Sequence, residues 1–300
     1  MIMMADKYSE IDNYENHFLK PYLLALNNSS TLPHYNSSLL SHLCGTWRIL
    51  QSSSYSNFVC LAGLFHSVYA TEFYPHGLYN IKERHKVIEA IGQDAEFLVF
   101  LFCTLKKQKI WSQLKADNDQ ISVSSITGET YFIPKEKAKE LFYIESANFI
   151  EQCSENDSSP RPFMSWYLEK YKSGFIRLHT YLEKFFDSLS EENEHLSIID
   201  YNQYIIHGTP DYLYRAFSSN PLSAEINLFL CLIEIENKCY DLAKEKLEIA
   251  QQLLTAWGTQ WDKRLTFSEW QNFIDFVRFN WSQLDSMQTF TMIRSSIIKP

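Results

Sequence analysis

Glycine and proline are scarce in this chain of 300 residues, which contains 8 glycines and 9 prolines. Turn-rich β architectures draw on both residues for their tight turns, so this scarcity favours long helices. Hydrophobic residues make up 45% of the chain and aromatic residues 15%. That is enough apolar material to build cores and to exclude disorder over most of the length.

Closely spaced cysteine pairs are missing as well. The 6 cysteines are scattered along the chain, and none forms a Cys-x-x-Cys pair. Most of them lie in apolar runs, as buried thiols do. Neither a cysteine-based zinc site nor a disulfide scaffold is indicated.

Membrane and nucleic-acid signals are also lacking. No uncharged apolar run approaches the roughly 20 residues that a bilayer-spanning helix needs. The N-terminus shows no basic segment followed by an apolar one, so we expect no secretory signal. Lys and Arg number 27 against 36 Asp and Glu, and this net charge of −9 disfavours nucleic acid and anionic membranes as partners. We therefore expect a cytoplasmic protein.

The residue pattern predicts a mainly α-helical protein of two domains. Residues 1–153 form the first domain, in which the period-two alternation and Gly128 over residues 120–134 indicate a small β-hairpin. The polar, proline-containing segment 154–162 is the predicted linker. Residues 163–300 form a second helical domain, with an aromatic-rich helix predicted over 163–190.

A helical hairpin is predicted near residues 222–254 of the second domain. Small residues at Ala243 and Ala250 alternate with Tyr240 and Leu247 at spacings of three and four. This pattern resembles the second helix of a tetratricopeptide repeat, in which small residues allow close helix packing. The resemblance covers one unit only, and it implies a protein partner for this domain.

The stretch 60–73 carries the most distinctive pattern in the chain. An apolar run leads into His66, and a polar set follows it: Ser67, Tyr69, Thr71 and Glu72. Such a pattern is typical of a buried helix whose C-terminal half emerges at a site. The alternative is that His66 is a hydrogen-bonded core histidine.

Two further segments offer chemically useful side chains. A helix predicted from Ser37 or Ser38 to about Gln51 carries His42 beside its apolar stripe. A strongly apolar helix over residues 94–102 carries the carboxylate of Glu96 near its start.

The three segments together resemble the HD superfamily of metal-dependent phosphohydrolases, above all the hydrolase domain of the alarmone (ppGpp) enzymes. The residues involved are His42, the run 62–67 and the run 91–100. In that family a first histidine, a His-Asp doublet and a distal aspartate hold one metal ion within a helical bundle. The chain also resembles a bacterial family of unknown function with His-x-x-Gly-Thr-Trp followed by Gly-Leu-Phe-His-Ser-x-Tyr-x-Thr-Glu.

Matched residue by residue, His42 corresponds to the first ligand and His66 to the histidine of the doublet. Ser67 stands where the family has aspartate, and Phe100 stands at the distal aspartate. Two of the four protein ligands are therefore replaced. Glu96 lies one turn before Phe100. A set of His42, His66 and Glu96 has the two-histidine, one-carboxylate composition known from non-haem iron and catalytic zinc sites.

The resemblance implies one divalent metal (Fe, Mn or Zn) if that set is complete, and no cofactor otherwise. Arg84 and Glu72 are the candidate catalytic residues, because a guanidinium clamps phosphate oxygens and Glu72 follows the histidine closely. Ser67, Tyr69 and Thr71 are the candidate ligand-binding residues.

We favour an HD-like domain with a degenerate or repurposed pocket, which binds a small molecule (a nucleotide or phosphoester) or acts as a scaffold. The alternative is an active enzyme that uses His42, His66 and Glu96, either a metal-dependent phosphohydrolase or an iron-dependent oxygenase. In a third hypothesis both halves form one structural helical protein, and the histidines belong to its core.

Overall fold

A computed structural model describes residues 13–23, 25–26, 33–34, 37–71, 74, 77–114, 118–152, 160, 162–185 and 187–298. The prediction of a mainly α-helical chain with a small β-hairpin is confirmed. Two compact units divide the chain, residues 1–152 and residues 153–300. Of the predicted linker, residues 154–159 and 161 lie outside the described ranges. Every helix within those ranges is too short or too polar to span a lipid bilayer.

The first unit is a helical bundle with two small antiparallel sheets. Its elements are α1 (Asn13–Leu23), β1 (Pro33–His34), β2 (Ser37–Ser38), α2 (Leu39–Ser52), α3 (Asn57–Leu64), α4 (Arg84–Ile91), α5 (Gln93–Thr104), α6 (Gln108–Gln113), β3 (Gln120–Ser124), β4 (Thr130–Pro134) and α7 (Lys135–Gln152). A short 3-10 helix, Ile81–Glu83, precedes α4. Helix α2 packs against α3 and α7, and α3 also packs against α5.

Helix α2 begins where its capping signal predicts. The Ser38 Oγ accepts a hydrogen bond from the Ser41 N–H at 3.1 Å and so satisfies one of the helix's unpaired donors. Gly63 on α3 then allows a close approach to α2, because a Cβ at that position would lie 2.3 Å from the Leu50 Cδ1. This contact brings the end of α3 against the His42 face of α2.

The prediction that His66 lies on a helix is wrong, because α3 ends at Leu64 and His66 lies in the turn that follows. In a continuing helix the Gly63 carbonyl would accept the N–H of Ser67. Instead it accepts a hydrogen bond from the His66 Nδ1 at 2.7 Å. The chain continues to Ala70 through turns in which an N–H donates to the carbonyl three residues earlier. Ala70 has a φ of 69°, in the left-handed region.

The second unit is entirely helical within the described residues. Its helices are α8 (Met164–Lys172), α9 (Thr180–Glu183), α10 (Glu191–His207), α11 (Pro210–Ser219), α12 (Ala224–Glu236), α13 (Tyr240–Trp257), α14 (Phe267–Phe279) and α15 (Ser286–Ile297). The single helix predicted over residues 163–190 is wrong. Gly174, with φ 70°, follows the end of α8 and turns the chain in a conformation that a helix cannot contain.

Helices α12 and α13 pack together as the predicted hairpin. Its tetratricopeptide resemblance stays a prediction. Polar groups are buried deep in this unit, and the carboxyl groups of Glu194, Glu225 and Asp262 each accept hydrogen bonds from neighbouring backbone or side-chain donors. Trp261 and Trp270 lie among them in the core.

Candidate functional site

Two buried histidines meet in the first unit. His42 projects from α2 and His66 from the turn after α3, and their Nε2 atoms are 3.1 Å apart. The ring centroids lie 5.0 Å apart with the planes at 78°. The HD resemblance predicted that these two side chains face each other, and the structure brings them together.

The outer nitrogen of each ring is held by an acceptor. The His42 Nδ1 contacts the Glu151 Oε2 on α7, and the His66 Nδ1 donates to the Gly63 carbonyl. A carbonyl and a carboxylate accept hydrogen bonds, so each Nδ1 carries a proton. Both Nε2 atoms then face the same place and lie 3.1 Å apart.

Glu151 is a member of this site that the sequence reasoning did not assign. It lies 109 residues from His42, so no local spacing connects the two. Gly45 explains the approach, because a Cβ there would come within 2.6 Å of the Glu151 Cγ. Gly45, the glycine of the His-x-x-Gly segment, is the sequence feature from which a neighbour packed against α2 could have been inferred.

A second polar cluster surrounds Glu96, whose side chain is completely buried. The Arg84 guanidinium donates from Nε to Oε1 and from Nη2 to Oε2, both at 2.7 Å. The Tyr69 hydroxyl donates to Oε1 at 2.8 Å. Burial and the neighbouring Glu96 raise the pKa of Tyr69 far above its usual range, so the hydroxyl keeps its proton and remains a donor.

The predicted site residues therefore lie in two groups. His42 and His66 form one pair, while Glu96 joins Arg84 and Tyr69. Within the described ranges no three His, Cys, Asp or Glu side chains converge in a way that could hold a metal ion. The predicted catalytic residue Glu72 lies outside the described residues.

A pocket of about 340 Å³ opens beside the Glu96 cluster. Tyr69 and Thr71 line it, as do side chains of α5 and of the hairpin, whereas Ser67 is buried elsewhere. Its described lining residues are Tyr69, Ala70, Thr71, Ile81, Phe100, Cys103, Thr104, Ser125, Ile126, Thr127 and Tyr131. None of these side chains is charged at neutral pH, and several carry hydroxyl groups.

Cys103 connects this pocket to the histidine turn. It lines the pocket, and its thiol donates to the His66 carbonyl at 3.1 Å. Burial raises the pKa of Cys103 to about 12, so the thiol stays protonated and is a weak nucleophile. Its role here is to fix the turn that carries His66.

Residues 23–107 match a family described as a domain of unknown function (DUF6817). The matched segment contains His42, His66, Tyr69, Arg84 and Glu96, and it ends before the hairpin and Glu151. No curated protein and no solved structure matches the chain.

Proposed function

We propose that the first unit is a ligand-binding or scaffold domain that takes a nucleoside or nucleotide-like small molecule into the pocket beside Tyr69. One observation carries the proposal: the pocket lies against a buried carboxylate that is already neutralised. Arg84 grips both oxygens of Glu96, and Tyr69 donates to one of them. Because both Glu96 oxygens are already bound, this arrangement favours a binding pocket over a carboxylate that acts as a general acid or base.

The lining defines which part of a ligand fits. Phosphate recognition needs cations, commonly arginine forks, and no charged side chain is among the described lining residues. The Arg84 guanidinium is engaged by Glu96 and stacks over the Phe100 ring at 4.0 Å. Hydroxyl groups and aromatic side chains suit an uncharged, planar, hydroxyl-bearing group such as a nucleoside. Any phosphate of the ligand would extend outside the pocket.

Binding is tested with the full chain and a panel of adenosine, guanosine and their 5′-monophosphates. A ligand at about 100 times its dissociation constant stabilises the native state by about 2.7 kcal/mol, which raises the melting temperature of a unit of this size by about 5–10 °C. At least one nucleoside should reach that shift, and its monophosphate should bind no tighter.

The matched variants are Thr104→Phe and Thr291→Phe. Thr104 lines the pocket, and Thr291 is exposed in the second unit. Each hydroxyl donates to the carbonyl four residues earlier in its own helix. T104F fills the pocket and should weaken nucleoside binding at least tenfold, whereas T291F should leave it unchanged. Equal binding by T104F and wild type would refute the pocket as the site.

A metal-dependent hydrolase or oxygenase is the second candidate, and the histidine pair favours it. Two ligands of one ion at about 2.1 Å from it lie no more than about 4.2 Å apart, and the two Nε2 atoms are 3.1 Å apart. Each Nδ1 is held by an outer acceptor, as in most histidines that bind metals. A bound divalent ion would activate water or a substrate oxygen.

The metal content of the purified protein tests whether this candidate function is right. If it holds, protein purified without an affinity tag contains about one equivalent of Fe, Mn or Zn, and His66→Gln abolishes that content. His85→Gln is the matched control, because His85 is exposed on α4. Metal-free protein that also fails to bind added Co²⁺ would exclude this candidate and leave nucleoside binding to be judged by its own test.

A further inference from the structure

Side-chain donors around the pocket beside Tyr69 are already in use. The Tyr69 hydroxyl donates to the Glu96 Oε1 at 2.8 Å. The Tyr131 hydroxyl donates to the carboxylate of Glu129. The Thr104 hydroxyl donates to the carbonyl one turn earlier in its own helix, at 2.7 Å. Each of these protons is bound to a protein acceptor, whereas each hydroxyl oxygen keeps a lone pair that can accept from a ligand.

The backbone of the lining loops shows the same imbalance. Four of its N–H groups donate to carbonyl groups of the protein at 2.7–3.1 Å, those of Ala70, Thr71, Ser125 and Ile126. Within the described residues, no group donates to the carbonyls of Ala70, Thr71, Ile126 and Thr127. The side-chain donors that remain are the Thr71 hydroxyl and one hydroxyl of the bonded pair Ser125 and Thr127. The lining therefore offers a ligand more acceptors than donors.

A neutral donor suits this lining better than a cationic one. The Arg84 guanidinium lies 4.0 Å from the centroid of the Phe100 ring, which lines the pocket. The buried carboxylate of Glu96 is bound to that guanidinium through both of its oxygens. Glu129 is exposed, so water screens its charge. An ammonium group would therefore lose its hydration in the pocket without meeting a buried counter-charge.

An uncharged amino group meets both conditions. It brings two N–H donors and no positive charge. We propose that the pocket selects nucleosides whose base carries an exocyclic amino group, with adenosine as the representative ligand; this inference rests on the nucleoside binding proposed above. The amino group donates to the acceptors of the lining, the Thr104 Oγ1 and the Tyr69 hydroxyl oxygen among them. An oxo group in its place would set an acceptor against acceptors, and a site built to pair with a donor discriminates against a ligand that lacks it.

Isothermal titration calorimetry of the full chain tests the inference with adenosine, inosine and purine riboside. The purine bases of these nucleosides carry an amino group, an oxo group and a hydrogen atom, respectively, at C6. Adenosine should bind at least tenfold more tightly than inosine. Purine riboside lacks the amino donor and adds no opposing acceptor, so its affinity should lie between the two. Purine riboside that binds as tightly as adenosine would overturn the inference, because the amino group would then form no productive hydrogen bond.

Thr104→Val removes one acceptor of the lining while nearly keeping the volume of the side chain. It should lower the ratio of adenosine affinity to inosine affinity at least threefold, by weakening the binding of adenosine. Thr291→Val is the matched control, because Thr291 is exposed in the second unit and its hydroxyl makes the same bond to the carbonyl four residues earlier. T291V should leave the affinity ratio unchanged.

The measurements separate a failure of this inference from a failure of the proposed function. If none of the nucleosides binds, the proposed function fails and the selectivity for an amino group falls with it. If adenosine and inosine bind equally well, or if T104V leaves their affinity ratio unchanged, nucleoside binding stands and the inference drawn from the acceptor-rich lining is overturned.

Discussion

Replacing Glu194 by alanine is expected to lower the free energy of unfolding by about 3–5 kcal/mol, because several buried hydrogen-bond donors lose their shared acceptor at about 1–3 kcal/mol each. Glu194 lies on α10 and is completely buried. It accepts from the backbone N–H groups of Phe163, Met164 and Ser165 at 2.8–3.0 Å. The Ser165 hydroxyl and the Trp261 indole N–H also donate to it.

The size of this effect follows from the donors that would lose their acceptor. The three backbone N–H groups lie at the start of α8, where a helix has no internal acceptors for them. The positive end of the helix dipole also favours the Glu194 oxygens. An alanine leaves these donors and the Trp261 N–H buried without partners, and each unmet donor costs about 1–3 kcal/mol.

Urea denaturation followed by circular dichroism measures the change. Glu192→Ala is the matched control, because Glu192 is exposed on the same helix and should change stability by no more than about 0.5 kcal/mol. Glu194→Gln keeps one acceptor oxygen and should fall between the two. A loss below about 1 kcal/mol for E194A would mean that water replaces the carboxyl group.

Arg84→Ala is expected to destabilise the first unit by about 2–4 kcal/mol, because it leaves the buried Glu96 carboxyl with Tyr69 alone. The estimate lies below that for a fully buried pair because the Arg84 side chain is 34% exposed, and water can partly replace the guanidinium. The double variant R84M/E96Q removes both charges and should be more stable than R84A. This non-additivity is the signature of a coupled pair.

An exposed ion pair provides the control for this experiment. Arg215 pairs with Asp200 in the second unit, and its side chain is 54% exposed. Arg215→Ala should therefore change the stability of the second unit little, because water and salt screen an exposed ion pair. If R84A and R215A had equal effects on thermal unfolding, the Glu96 carboxyl would have to be hydrated in solution.

Local patterns predicted much of the fold, because their causes act over a few residues. The start of α2 at the Ser38 cap, the hairpin at residues 120–134 and the helical pair α12–α13 follow from capping, alternation and periodicity. The helix predicted through His66 ends early, at Leu64. The reason is also local, but hydrophobic periodicity does not reveal it. The histidine ring takes the Gly63 carbonyl that the next helical N–H would need.

By itself, the sequence determined the mainly helical fold with its hairpin, and its family resemblance drew attention to His42 and His66, which are 24 residues apart. Only the tertiary structure decided what surrounds them. It pairs Glu151 with His42 across 109 residues and engages Glu96 with Arg84 and Tyr69. The physical reason is that residue spacing sets the phase of a side chain on its own helix, whereas the partner it meets depends on how helices cross. Close approaches at Gly45 and Gly63, where a Cβ would clash, set those crossings here.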